Sequence, residues 1–210
     1  MTVGHSGATR RSIDYLLRAV AIAALVLLWA GRSHAAMITF TADLGPESAG
    51  ATGTGFVTVV YDSTLHTLSI DATFSGLSGD TTVAHIHCGT AVSETGTVGV
   101  AVTPGTLPRF PGGVTAGSYT SPFLLDLTTS ATYTAGFVNN FAGGSIAGAE
   151  AALLAGMYAG KAYFNVHSLT YPGGEIRGFL ETQAVQTPEP ASLLLLGTGL
   201  TTLALRRRRR

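Results

Sequence analysis

Between residues 38 and 180 the chain alternates apolar and polar side chains in short runs, with turn-forming residues between them. A period of two marks a strand with one covered face, so segments 38–42, 55–61, 67–74, 82–87, 123–127, 161–167 and 175–180 are expected to be strands. Asp62-Ser63-Thr64 reads as the turn of a hairpin, and Tyr171-Pro172-Gly173-Gly174 as the turn joining the last two strands. Only 147–157, an Ala- and Leu-rich run bounded by glycines, carries a helical pattern. The Gly- and Pro-rich stretch 103–117 is expected to be a long loop. Short strands, one short helix and no internal repeat predict an all-β domain over residues 37–182, a Greek-key, immunoglobulin-like β-sandwich.

The two ends break this alternation. Residues 19–30 form an uninterrupted apolar run behind Arg10, Arg11 and Arg18, and Ser33-His34-Ala35 places small residues where a cleavage site needs them. The run is too short to span a bilayer comfortably, so 1–35 is read as a signal peptide, an apolar helix removed by signal peptidase. At the other end Pro188-Glu189-Pro190 precedes an apolar segment, 191–205, and an arginine cluster, 206–210. That segment, as a helix, rises ~22 Å against the ~30 Å hydrocarbon core, a marginal permanent anchor whose arginines would sit at the cytoplasmic face. With these three features in this order, residues 183–210 resemble the PEP-CTERM sorting tail of exported bacterial proteins. The resemblance implies recognition by an exosortase, transient inner-membrane anchoring, and delivery to the outer surface or an extracellular polysaccharide matrix.

Charge changes the picture of partners. The formal net charge is zero, yet between residues 36 and 187 only Arg109, Lys161 and Arg177 face ten carboxylates, a balance of about −7. Such a domain does not attract nucleic acid. The small charged fraction, 11%, and the 27 glycines suit strands and tight turns rather than surface helices. No Gly-x-Ser-x-Gly elbow, phosphate loop or Cys-x-x-Cys pair is present, so no enzyme class is indicated.

The candidate chemistry lies in the histidines. In Val83-Ala84-His85-Ile86-His87 the alternation sends Ala84 and Ile86 to one side and both histidines to the other. In 161–167 the apolar set is Ala162, Phe164 and Val166, opposite Tyr163, Asn165 and His167; in 175–180 Ile176 and Leu180 oppose Glu175 and Arg177. If these strands are neighbours, His85, His87 and His167 converge on a solvent-facing sheet surface, with Glu175 and Arg177 at its border. Three neutral imidazoles suit copper or zinc. The alternative is a set of hydrogen-bonded histidines packed under a loop. Cys88, the single cysteine, cannot form an intrachain disulfide, and alternation points it away from the histidines toward the interior.

Ala84-His85-Ile86-His87, Asn165-Val166-His167 and Pro172-Gly173-Gly174-Glu175-Ile176-Arg177-Gly178 together resemble the CHRD domain, a module common in bacterial exported proteins. The resemblance runs from about Ile38 to Leu180 and departs from the usual pattern at Cys88-Gly89-Thr90. It implies an immunoglobulin-like sandwich without a settled activity. A more distant similarity is to copper/zinc superoxide dismutases, in which a His-x-His and a later histidine bind copper; His85, His87 and His167 would match these. The one other histidine of the domain, His66, lies at a hairpin, which leaves none for the bridging ligand and zinc subsite. Two functions are therefore expected to compete: a structural or adhesive surface protein meeting polysaccharide or other surface proteins, and a secreted copper or zinc protein.

Overall fold

The computed structural model describes residues 37–183; the expected signal peptide, 1–35, and the tail from 184 onward lie outside the described residues. The alternating segments become strands β1 (Met37–Pro46), β2 (Thr54–Asp62), β3 (Thr67–Ser75) and β4 (Thr81–Cys88), followed by the short β5 (Val100–Val102), β6 (Gly117–Thr120) and β7 (Leu125–Asp126). Two helices, α1 (Ala135–Phe141) and α2 (Ile146–Tyr158), precede β8 (Ala162–Ser168), β9 (Ile176–Phe179) and β10 (Glu181–Thr182).

All pairings are antiparallel, and the order β5-β4-β8-β9-β1-β2-β3-β6 forms one curled sheet. Strand β1 joins its halves. Residues 37–44 pair with β2, whereas Gly45 and Pro46 pair with Arg177 and Ile176 of β9. Curling brings the apolar faces of the halves together in one core. Phe40, Val57, Val59, Leu68 and Ile70 come from one side, and Ala84, Ile86, Phe164, Val166 and Ile176 from the other, all fully buried. The architecture is the expected all-β sandwich-like fold.

Two segments differ from the sequence expectation. Residues 123–127 supply only the two-residue β7, and Phe123 and Leu124 stand 54% and 55% exposed. Two α-helices form rather than one. Helix α1 has only seven residues, with Gly136 and two asparagines in it, and leaves little periodicity to read. Its start is held by Thr134, whose side chain accepts from the Phe137 amide at 3.2 Å. Helix α2 matches 147–157 within a residue at each end and buries Ala149, Leu153 and Met157. Gly156 of α2 lies against Cys88, where an added Cβ would collide with the Sγ. The thiol is buried, as alternation indicates, and desolvation pushes its pKa up to about 12.

Candidate metal centre

Strands β4 and β8 are neighbours, with His85 opposite Asn165 and His87 opposite Tyr163. Strand β9 adds Arg177 beside Asn165 and Phe179 beside Tyr163. Alternation on paired strands thus places His85, His87, Tyr163, Asn165, His167, Arg177 and Phe179 on one face. The three imidazoles meet there. Their ring centroids are 5.2, 5.8 and 6.1 Å apart, and one nitrogen from each lies within 4.8 Å of the others.

This face is not open to solvent, as its polarity suggested. His85, His87 and His167 are only 6%, 8% and 9% exposed. The reason is that three loops fold over it, each presenting a backbone carbonyl to one imidazole. His85 Nε2 donates to Gly105 O at 2.5 Å, His87 Nδ1 to Val98 O at 2.7 Å, and His167 Nδ1 to Pro172 O at 2.8 Å. A carbonyl oxygen only accepts, so the nitrogen facing it carries the proton and the other ring nitrogen keeps its lone pair. Those other nitrogens, His85 Nδ1, His87 Nε2 and His167 Nε2, are buried without a hydrogen-bond partner.

Burial also favours the neutral form of His85 and His87. Desolvation lowers the His87 pKa to about 4, against the opposing bond to Val98, with His85, His167 and Arg177 adding like-charge repulsion. The His85 pKa is lowered too, first by desolvation. Neutral imidazoles with oriented second nitrogens are what zinc or copper binds, and a backbone carbonyl on the far nitrogen is the usual support for a ligating histidine. Two nitrogens on one such ion stand roughly 3–4 Å apart, given bonds of ~2.0–2.1 Å. The triad therefore needs to contract by only about an ångström. The donor set fits either metal.

Around the triad the fold adds contacts the sequence pattern did not show, and one residue it did not single out, Glu47. Tyr163 stacks flat on His87, with centroids 4.6 Å apart and planes at 6°. Arg177 lies over the Tyr163 and Phe179 rings and donates to Gly96 O at 2.8 Å and to Glu47 Oε1 at 3.2 Å. Glu47, from the turn after β1, also accepts from Asn165 Nδ2. Desolvation raises the Glu47 pKa against the pull of Arg177 and His167. Nothing local in the sequence ties Glu47 to the histidines; it arrives because β1 pairs with β9. Arg177 borders the triad electrostatically, but Glu175 does not pair with it. Glu175 is fully buried just before β9, and its Oε1 accepts from the Ser78 amide.

A family model for the CHRD domain matches residues 40–180, and the chain belongs to that family. The PEP-CTERM protein-sorting motif matches residues 186–210. The chain is thus an exported exosortase substrate, anchored transiently in the membrane and then placed at the surface or outside the cell. No curated protein and no solved structure matches it.

Proposed function

We propose that this exported CHRD domain is a metal-binding module that carries a single copper or zinc ion on His85, His87 and His167 at the cell surface. The observation carrying this reading is the cluster of three buried imidazoles, one ring nitrogen of each within 4.8 Å of the others, in which each ring keeps a buried nitrogen without a hydrogen-bond partner. An unsatisfied buried polar atom costs about 1–3 kcal/mol, so three in one place need a common partner. A cation is the partner that accepts three lone pairs. A structural or adhesive role in the surface polymer layer is the second reading. It draws on the open faces of β2 and β3, where Thr54, Thr73 and Ser75 meet solvent.

Metal titration of the purified protein separates them. One equivalent of copper or zinc is expected to bind with a raised thermal midpoint, since binding also ties down the three loops. His167→Ala is expected to abolish stoichiometric binding. His167→Gln, which keeps volume and a donor for the Pro172 carbonyl, is expected to do so without unfolding the domain. A wild-type protein that takes up neither ion would leave the adhesive reading alone.

A further inference from the structure

We propose that an ion on the three histidines keeps a fourth, exchangeable oxygen ligand, a water or hydroxide, and that Asn165 positions it. This rests on the metal reading above and adds to it. Asn165 is 1% exposed and stands on the histidine face of β8, opposite His85 on β4 and two residues before His167. The orientation of its amide is set from outside the triad. Nδ2 donates to Glu47 Oε2, and Glu47 Oε1 is held in turn by Arg177. A flipped amide would set its carbonyl oxygen against a carboxylate, two acceptors with no proton between them.

Asn165 Oδ1 is thereby turned away from Glu47, and it meets no donor. Among the described residues six buried side-chain polar atoms lack a partner, and four of them are this oxygen and the three histidine nitrogens. The four make a coherent demand. Three lone pairs on imidazole call for a cation, and a carbonyl oxygen on a residue flanking two of those ligands calls for a hydrogen-bond donor. A water on the cation answers both: its oxygen binds the ion and one of its protons goes to Oδ1. Three imidazoles leave such a position open on zinc or copper. The centre is then an open-position site that exchanges a small oxygen ligand, rather than a closed structural one.

Copper(II) serves as the probe. Pulsed electron paramagnetic resonance on the loaded wild-type protein in deuterated water is expected to show imidazole nitrogens and one coordinated, exchangeable water. A pH titration of the same spectrum is expected to show that water deprotonating once. In Asn165→Leu the water signal disappears, or its midpoint falls by about one pH unit, tenfold in the ionisation constant, because the carbonyl dipole favouring water over hydroxide is gone. Copper affinity stays within about tenfold, as the three imidazoles remain. Asn165→Asp combined with Glu47→Gln, which keeps an acceptor oxygen at 165 and a donor between the two side chains, retains the water. The proposal is overturned by a wild-type spectrum with no exchangeable water, or by an Asn165→Leu protein with the wild-type water signal and midpoint. Wild-type protein that binds no copper through imidazole would instead overturn the metal reading, and this inference with it.

Discussion

Strands β2 and β3 bury every second residue, whereas all seven residues of β8 are buried. Both regions carry the same alternation of apolar and polar side chains, so the difference does not lie in the strands. It lies in what crosses above them. Over β2 and β3 no loop among the described residues encloses the polar face, and Asp71 and Thr73 stand exposed to solvent. Over β4 and β8 the loops carrying Val98, Gly105 and Pro172 exclude water and must supply those bonds themselves. A polar face under a roof is costly unless each group finds a partner, so the atoms that find none become informative.

The largest effect separating the regions should come from Phe164, fully buried on the core side of β8. Phe164→Ala is expected to cost about 3–5 kcal/mol in urea unfolding. A loss below about 1 kcal/mol would mean that the core side of β8 is not enclosed. Next comes pH. The His87 pKa falls from 6.5 in an exposed setting to about 4 in the fold, so the unfolded chain binds the extra proton first. The stabilisation is complete above pH 6.5 and drains away as pH falls toward 4, by about 3 kcal/mol for metal-free protein. His87→Gln should flatten that part of the pH–stability curve; an unchanged slope would place the acid sensitivity elsewhere. The smallest effect belongs to the open region, where Thr73→Val on β3 is expected to stay within about 0.5 kcal/mol of wild type. A larger change there would reveal a cover on that face too.

The strands of the sheet were legible because one covered face imposes the period of two whichever way the other face looks. Six of the seven expected strands match within a few residues, and β1 runs on to Pro46 only because its end pairs with β9. The pattern of 123–127 misled, since two exposed apolar residues there mimic a strand core. Strands β5, β6 and β10 are short and held by tertiary pairing, so they left no local signature. At the site, alternation told which residues share a face with His85, His87 and His167, including Tyr163 and Asn165. It could not tell that the face is enclosed, because burial there is conferred by loops distant in sequence. Glu47 was invisible for the same reason, and Glu175 looked like its counterpart because it lies two residues from Arg177 in the chain. In the fold its carboxylate goes to the Ser78 amide instead.

The roof also has a bearing on how this domain tolerates change. Each histidine is steadied by a main-chain oxygen, from Gly105, Val98 or Pro172, and every amino acid carries that atom. Side chains of the covering segments can therefore change over generations while the imidazoles keep their tautomers, provided the loops keep their length and path and the positive-φ Gly105 and Gly174 stay glycine. Insertions and deletions in these loops, more than replacements elsewhere in them, are the changes that would disable the centre.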